Sequence, residues 1–410
     1  MADGRVVITV RENAVCYGYF MDNQPLELYA EPREQGSMLG NVYAARVEKV
    51  ANGINGAFLE LEKGVKAYYP LSGNDRKILL SSGERREPKG GDIALVQVTK
   101  DAQKGKQAVV DSNITFEGKY IVMTLVDRRY GISKKIRGDK ERKRLKKLLD
   151  EWRSKEYGVI LRTNAQGVSK ERLAREFKAL KDRRRRILKK GKHARGRTLL
   201  YEEPGHYITL ARSLRSSDLK KVVTDDPKIW RQLRSYYEES GDKDILKKIK
   251  LHKDEYSLWK LYRFGYHYED ALKKHVWLNS GGSLVIDHTE AMTVIDVNSG
   301  SMVKNPRKKN DLFYRLNCEA AAEIAKQLRL RNLSGIILID FINMDNKDDE
   351  DLLLEVLREE CMDDRISINV VDMTALGFVE LTRSKSRKPL REQMFACGLL
   401  DFFTGTSRRW

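Results

Sequence analysis

The sequence predicts an α/β protein of several domains, one of which is a small five-stranded β-barrel. Its 410 residues exceed what one hydrophobic core usually supports. Short runs of β-forming residues, separated by Gly, Asn and Lys turns, fill residues 41–110 and are typical of an OB-type barrel. From about residue 113 onwards, strands alternate with helices, which is typical of α/β domains.

The predicted elements follow in chain order. Residues 5–31 alternate around Glu12-Asn13 and predict a hairpin. Five runs predict the barrel strands, at 41–50, 56–61, 67–71, 92–99 and 107–110. Later strands are predicted at 119–126, 157–163, 221–224, 248–252, 283–288, 292–297 and 335–342. Helices are predicted at 139–153, after Ser169, after Pro227, near 256–264 and at 311–331, whereas the acidic segment 345–350 is interpreted as a loop.

The composition excludes several classes of protein. With 78 Lys+Arg against 59 Asp+Glu, the net charge of +19 predicts a polyanionic partner, most commonly nucleic acid. No apolar run approaches the roughly 20 residues that cross a bilayer, and the start lacks a signal peptide, so we expect no membrane span and a cytoplasmic location. The four cysteines are scattered without zinc spacing, which argues against a disulfide scaffold.

Two aspartates near the ends of predicted strands are the strongest candidates for a site. Asp296 and Asp340 each follow a run of β-forming residues. An ionised carboxylate is costly there unless it is paired or bound to a cation. If the two converge, they offer the oxygen ligands that Mg²⁺ prefers, and Asn298 shares the strand face of Asp296. The alternative is that both aspartates cap turns.

Two further groups of residues have the chemistry of nucleic-acid binding. Arg162 and Thr163 end a predicted strand and form a good phosphate pair, to which the backbone near Gly131 adds donors. In the barrel, aromatic residues are available for base stacking and a cation for the backbone: Phe58, Tyr68 and Lys106. The alternative is that Phe58 belongs to the core. The run 183–186 is either a solvated helix face or a phosphate-binding surface, and its self-repulsion favours the second.

Two long segments closely resemble the catalytic segment of the ribonuclease E/G family. The first runs from Val276 to Gly300 and contains TEAMTVIDVNSG, and the second runs from Asn317 to Met344 and contains QLRLR and GIILIDFI. The likeness extends in the expected order over nearly the whole chain, including the segment GFVELTR that ends at Arg383.

The resemblance implies a Mg²⁺-dependent endoribonuclease that cleaves single-stranded RNA and leaves 5′-phosphate and 3′-hydroxyl ends; Mn²⁺ suits the same oxygen ligands. It implies that Asp296 and Asp340 hold the metal, that Asn298 assists them, and that Glu290 and Arg383 are further active-site residues. It also implies an RNA-binding barrel surface at Phe58, Tyr68 and Lys106, and a 5′-monophosphate sensor at Gly131, Arg162 and Thr163.

The same resemblance implies a domain arrangement. A ribonuclease-H-like lobe comprises residues 1–34 and 208–272, and an OB-fold domain at 35–115 and a 5′-sensor domain at 116–207 are inserted into it. A deoxyribonuclease-I-like catalytic subdomain follows at 273–395, with a tail at 396–410.

The sequence departs from the family at the start of this tail. The family's core usually ends in a Cys-Pro-x-Cys knuckle through which two subunits share zinc, whereas this chain has the single Cys397. One thiolate from each subunit gives half of the ligands that tetrahedral zinc needs. We therefore expect no structural zinc, and the chain either forms a homodimer by packing or is a monomer.

Two other functions remain open at this stage. A non-catalytic RNA- or ribosome-binding protein would use the same barrel and basic helix, but it would be indifferent to replacement of Asp296 or Asp340. A metal-dependent deoxyribonuclease is suggested only by the expected fold of the catalytic subdomain.

Overall fold

The computed structural model describes residues 3–33, 37–72, 78–80, 83–84, 87–102, 106–215, 217–300, 309–344, 346–385 and 387–400. The chain divides into two compact units. The first unit comprises residues 1–35, 216–234 and 244–410, and the second unit comprises residues 36–215 and 235–243.

The strands, in chain order, are β1 (Gly4–Arg11), β2 (Ala14–Met21), β3 (Gln24–Pro32), β4 (Val42–Ala51), β5 (Gly56–Glu62), β6 (Val65–Pro70), β7 (Ile78–Leu79), β8 (Gly83–Glu84), β9 (Ile93–Lys100), β10 (Ala108–Asp111), β11 (Thr115–Glu117), β12 (Ile121–Thr124), β13 (Tyr130–Ile132), β14 (Gly158–Leu161), β15 (Thr198–Tyr201), β16 (Leu219–Thr224), β17 (Ile249–Leu251), β18 (His275–Trp277), β19 (Ser283–His288), β20 (Met292–Asn298), β21 (Gly335–Asp340), β22 (Ile368–Met373) and β23 (Phe378–Arg383).

The α-helices are α1 (Asp139–Glu151), α2 (Lys170–His193), α3 (His206–Ser213), α4 (Pro227–Glu239), α5 (Lys243–Lys248), α6 (Leu258–Leu261), α7 (Phe264–Leu272), α8 (Lys309–Leu330), α9 (Lys347–Cys361) and α10 (Leu390–Ala396). In the described part of the chain, none of these helices combines the length and the apolar character that crossing a membrane requires.

The first unit contains two sheets, and the smaller is built around the N-terminal strands. Its order is β17-β16-β1-β2-β3, in which β1 pairs parallel with β16 and antiparallel with β2. The predicted hairpin is therefore part of a three-stranded meander, β1-β2-β3, to which the parallel strands β16 and β17 are added. Strand β2 is buried along almost its whole length, with Phe20 packed on Phe264, so it shows no simple alternation.

The second sheet of the first unit positions the predicted aspartates. Its order is β18-β19-β20-β21-β23-β22, with β20 and β21 parallel and connected through α8. Residues at alternate positions of β20 and β21, such as Ile295 and Ile339, are fully buried and share a core with residues of α8 and α9, such as Ile324 and Leu353. Because strand side chains alternate between faces, Asp296 and its neighbours at even positions face away from this core.

The second unit contains the predicted barrel. Strands β4, β5, β6, β10 and β9 pair in that order, and pairing of β9 with β4 closes the cylinder. Tyr43, Leu59, Tyr69 and Val96 lie in its core. The prediction of a closed five-stranded, OB-like barrel is confirmed.

The second unit also contains a four-stranded sheet, β11-β12-β14-β13, packed with α1 and α2. Trp152 after α1 stacks on Phe177 of α2, with ring centroids 4.2 Å apart. Ser169 is the N-cap of α2, as predicted, since its hydroxyl accepts a hydrogen bond from the Arg172 backbone N–H.

The acidic segment that the sequence suggested to be a loop is instead the start of a helix. Asn346 caps α9 by accepting a hydrogen bond from the Asp348 backbone N–H, and the acidic residues fill the first turn. Negative charge at this position complements the helix dipole, which explains the cluster without a ligand. Asp345 lies outside the described residues.

Candidate functional site

The two strand-end aspartates lie side by side. The parallel register of β20 and β21 places Asp296 directly opposite Asp340, and both side chains are half-buried. Asn298, two residues further along β20, donates a hydrogen bond from Nδ2 to Oδ2 of Asp296 at 2.7 Å. The structure thus brings together the three residues that were expected to form the centre of the site.

The charges of this pair are uncompensated within the described part of the chain. No lysine or arginine there forms an ion pair with either aspartate. Burial, and then the negative charge of Asp296, raise the pKa of Asp340. A cation held between the two carboxylates would remove this repulsion.

The donor set fits a hard divalent cation. The described residues contain no cluster of three or more His, Cys, Asp and Glu side chains, so the protein offers two carboxylates here and leaves other coordination positions open. Mg²⁺ is commonly held in this way, by one or two carboxylates together with water and substrate phosphate oxygens.

Two residues that were expected in the active site lie elsewhere on the sheet. Glu290 is exposed in the turn before β20, at the opposite end of that strand from Asp296, about 20 Å away along an extended chain. Arg383 pairs with Gly335, whereas Asp340 pairs with Phe378, so Arg383 also lies at the far end. The structure does not bring Glu290 or Arg383 to the aspartate pair.

Arg383 has a structural environment instead. It is 3% exposed, and its Nε donates to Oδ2 of Asp364 at 2.8 Å. Its Nη1 donates to Oδ1 of Asn332 and to the carbonyl of Leu333, each at 2.9 Å. The guanidinium therefore holds the segments that precede β21 and β22. The order of motifs in the sequence did not show at which end of β23 Arg383 lies.

On the barrel, Phe58 and Tyr68 are neighbours. They are paired across β5 and β6 with ring centroids 6.1 Å apart, and both are half-exposed, whereas Leu59 is fully buried. Phe58 is therefore not a core residue. A Cβ on Gly56 would lie 2.2 Å from the Tyr68 ring, so glycine at this position lets the ring lie flat on the strand.

Register adds two cations that the sequence analysis missed. Lys49 is opposite Phe58, Val109 is opposite Tyr68, and Lys100 is opposite Val109. We call these five residues on the outer barrel surface the aromatic row. Both lysines are exposed. Their outward positions do not follow from simple alternation, because the pairing register shifts beside each lysine, between Val47 and Lys49 on β4 and where Lys100 of β9 pairs with β10. The register that sets both lysines beside the aromatic rings comes only from the structure.

The cation that the sequence predicted for this surface, Lys106, is exposed and lies just before β10. It is therefore at the end of the barrel strand that carries Val109, beside the aromatic row rather than within it.

The residues of the predicted 5′-sensor are only partly brought together. Gly131 on β13 pairs with Ile160 on β14, and a Cβ there would meet nothing within 4 Å, so the space beside it is open. The hydroxyls of Ser133 and Thr163 are 3.0 Å apart. A small polar surface therefore exists where the analysis expected phosphate donors.

The Arg162 side chain extends in a different direction. Its Nη1 donates to the carbonyl of Gly118 at 2.9 Å and lies 3.5 Å from Oε2 of Glu117. These residues connect β11 and β12, on the other side of β14 from Gly131. In this conformation Arg162 and Thr163 do not face one pocket.

The arginine run in α2 has partners within the protein. Arg183 lies over the Tyr201 ring at 5.3 Å, Arg184 is 3.0 Å from Glu156, Arg185 is 3.0 Å from Asp182, and Arg186 is 3.6 Å from Glu239. These contacts offset the self-repulsion that had favoured a phosphate-binding role. Each arginine of the run therefore has a partner within the protein, and the phosphate-binding role stays a prediction.

The single cysteine of the tail is poorly suited to zinc. Burial, and then the charge of Glu31, raise the pKa of the Cys397 thiol to about 12. Zinc binds the thiolate, which this environment disfavours. The end of the predicted tail, 401–410, lies outside the described residues.

Comparison with known proteins identifies the family of the chain. The model of the Ribonuclease E/G family matches residues 115–386. Ribonuclease G of Escherichia coli (strain K12) is 31% identical over 396 residues, which cover 94% of this chain and 80% of the relative. Ribonuclease G of Haemophilus influenzae is 30% identical over 374 residues, covering 89% and 76%, and ribonuclease E of Nostoc sp. is 29% identical over 390 residues, covering 94% and 56%. The chain belongs to the ribonuclease E/G family, which confirms the resemblance seen in the motifs.

Proposed function

We propose that this protein is an endoribonuclease that uses Mg²⁺ to cleave single-stranded RNA, leaving 5′-phosphate and 3′-hydroxyl ends, in RNA processing and decay that include rRNA maturation. The observation that carries the proposal is the pairing of Asp296 and Asp340 in register without a compensating cation in the described residues. The names of the relatives, ribonuclease G and ribonuclease E, support RNA as the substrate.

The roles of the site residues follow from their chemistry. Asp296 and Asp340 would hold the metal, and the amide of Asn298 fixes the orientation of the Asp296 carboxylate by its hydrogen bond. A bound Mg²⁺ supplies Lewis-acid stabilisation of the scissile phosphate and a nucleophilic water; Mn²⁺ suits the same ligands. Asp340 must lose its proton to bind a cation, and its raised pKa makes this step dependent on pH.

The aromatic row is proposed to bind the RNA strand. Phe58 and Tyr68 offer stacking surfaces for bases, and the exposed lysines on either side, Lys49 and Lys100, offer charge for the backbone. Such contacts tolerate any base sequence. The net charge of +19 adds a general attraction for RNA.

The preference for a 5′-monophosphate is also proposed. The open space at Gly131 and the hydroxyls of Ser133 and Thr163 support it. For Arg162 to contribute, its guanidinium has to leave the Gly118 carbonyl and Glu117. The proposal therefore includes a rearrangement of Arg162 when the phosphate binds.

The domain arrangement is proposed on the same basis. The second unit interrupts the first in the sequence, which supports insertion of the barrel and sensor domains into a ribonuclease-H-like lobe. The sheet that carries Asp296 and Asp340, packed on α8 and α9, supports a separate catalytic subdomain.

The test is cleavage of one A/U-rich single-stranded RNA that carries either a 5′-monophosphate or a 5′-hydroxyl, with Mg²⁺, with Mn²⁺ and with chelator. Asp340→Asn is the inactive variant, and Asp287→Asn is its matched control, because Asp287 is an exposed carboxylate on β19 of the same sheet, ion-paired with Lys274. We expect metal-dependent internal cuts that disappear only in Asp340→Asn and are faster on the monophosphate.

Each alternative gives a different result. Equal rates on the two RNA ends would remove the sensor proposal and keep the nuclease. Binding without cutting under any metal would reject the enzyme and favour the non-catalytic RNA- or ribosome-binding protein. Equal cleavage of a single-stranded DNA of the same sequence would contradict RNA specificity.

A further inference from the structure

The sheet face that carries the aspartates continues to the edge strand β18. Asn298 on β20 is opposite Ser283 on β19, and Ser283 is opposite Trp277 on β18. In the same way, Asp296 is in register with Val285, and Val285 with His275. Two strand spacings separate Trp277 from Asn298, about 10 Å across the sheet.

Alternation places Trp277 on the same face as the aspartates. Val276 packs against the core beneath the sheet, and its partner Leu284 is fully buried in that core. The residues on either side of Val276, which are His275 and Trp277, therefore face away from the core. Both are exposed.

Trp277 differs from the other tryptophans that the structure describes. Trp152 stacks on Phe177, Trp259 stacks on Phe264, and Trp230 lies under Arg234. Trp277 is 76% exposed, and within the described ranges no aromatic ring or cation packs on it. A large aromatic side chain left in water beside a candidate active site indicates a binding surface.

We propose that Trp277 is a stacking platform for one base of the single-stranded RNA bound across Asp296 and Asp340. This inference rests on the proposed function and deepens it, because it names a residue that positions the strand. Every base presents a π-face, so an indole at this place holds a nucleotide without sequence preference. Trp277 touches the substrate through the base and takes no part in the chemistry at the phosphate, because Asp296 and Asp340 lie two and three strands away from it.

The test compares Trp277→Ala with Trp277→Phe, which retains an aromatic ring. The control is Tyr256→Ala, which removes a 70% exposed aromatic side chain between β17 and α6, next to the other sheet of the first unit. KM and kcat are measured on single-stranded RNA. Binding is measured separately in an Asp340→Asn background with RNAs that each lack one base at successive positions around the cut. We expect Trp277→Ala to raise KM about 10-fold with little change in kcat, and Trp277→Phe to restore most of the loss.

The abasic series separates stacking from a structural effect. When Trp277 is present in the Asp340→Asn background, loss of the base at one position should weaken RNA binding about 10-fold. When Trp277→Ala is added, loss of the same base should have no further effect. Unchanged KM and binding in Trp277→Ala, or an equal loss in Tyr256→Ala, would overturn the inference while leaving the nuclease intact. If the unmodified protein does not cut RNA at all, the proposed function fails, and the abasic series alone still decides whether Trp277 stacks on RNA.

Discussion

Carboxylates occur in two opposite settings within the first unit. Asp296 and Asp340 are half-buried and face each other. Glu27 and Glu31 of β3 are buried and face arginines: Glu27 accepts hydrogen bonds from Arg365 and lies 3.8 Å from Arg329, and Glu31 accepts one from Arg387 at 2.8 Å. Arginines of the protein neutralise the charges of Glu27 and Glu31. Among the described residues no cation does the same for Asp296 and Asp340, so their negative charge is left for a ligand to neutralise.

The pKa values show the same contrast. Burial acts on Glu27 to raise its pKa, but the charges of Arg365 and Arg329 outweigh it, and the net result is a lowered pKa. Burial and the charge of Asp296 act in the same direction on Asp340, and its pKa is raised. The sign of the nearest charge therefore distinguishes a framework carboxylate from a candidate ligand more clearly than burial does.

The largest effect is expected for Asp340→Asn. The change removes one of two carboxylate ligands, so we expect cleavage to fall by more than the 10–100-fold that loss of an outer-shell partner typically costs. It also removes the repulsion from Asp296, so the free energy of unfolding should stay equal or rise slightly. Cleavage rates and urea unfolding measured on the same protein test both parts. A large loss of stability would show that Asp340 is a framework residue, and the comparison would then fail.

The opposite pattern is expected for Arg383→Met. This change removes the buried guanidinium that pairs with Asp364, and breaking such a pair costs about 3–5 kcal/mol of unfolding free energy. Arg315→Met is the matched control, because its ion pair with Asp311 is exposed and should contribute less than about 1 kcal/mol. Urea unfolding measures both.

The second variant Arg383→Met/Asp364→Leu removes both charges and should recover much of the stability. If Arg383→Met instead loses cleavage at unchanged stability, Arg383 belongs to the active site, as the motif resemblance implied.

The juxtaposition of Asp296, Asp340 and Asn298 could be predicted from the sequence because two local signals agreed. A carboxylate interrupting an apolar run stands out, and strand alternation shows on which side of the sheet it lies, so Asp296, Asp340 and Asn298 were found together. An active-site role for Glu290 and Arg383 stays a prediction. The structure places both at the other end of the sheet from the aspartates, and a motif gives residue order but not the end of the strand at which a residue lies.

Features that depend on strand register or on side-chain direction could not be predicted from the sequence. Lys49 and Lys100 join the aromatic row only through cross-strand pairing. The contact of Arg162 with Gly118 depends on the turn between β11 and β12, which no local pattern predicts. Trp277 belongs to a segment that resembles the ribonuclease E/G family. Only its exposure and its position in the sheet register, which the structure supplies, mark it as a candidate binding residue.

An intermediate effect is expected for Asn298→Ala. Its amide orients Asp296 without being charged, so its loss should weaken apparent Mg²⁺ affinity about 10–100-fold. The Mg²⁺ dependence of the cleavage rate measures this, and a saturating metal concentration should restore most of the rate. Asn369→Ala, at an exposed asparagine on the edge strand β22 of the same sheet, is the control. An unchanged Mg²⁺ dependence would mean that the hydrogen bond to Asp296 does not tune the site.

The smallest effect, and the most direct test of the contrast, is the pH dependence of stability. The pKa of Glu27 is lowered on folding. Ionised Glu27 therefore contributes to the unfolding free energy above its unfolded-state pKa of about 4.3, and this stabilisation is lost as the pH falls through the folded-state pKa. The pKa of Asp340 is raised on folding. Protonated Asp340 therefore contributes to the unfolding free energy below its unfolded-state pKa of about 3.9, and this stabilisation is lost as the pH rises through the folded-state pKa.

Glu27→Gln should therefore flatten the rise of unfolding free energy with pH in the acid range, and Asp340→Asn should steepen it. Each change in slope is limited to about 1.4 kcal/mol per pH unit, the value for one proton. Urea unfolding at closely spaced pH values below 6 gives both slopes. Shifts of the same sign in the two variants would contradict the comparison, because they would show that burial, and not the charge of the neighbouring residue, governs both carboxylates.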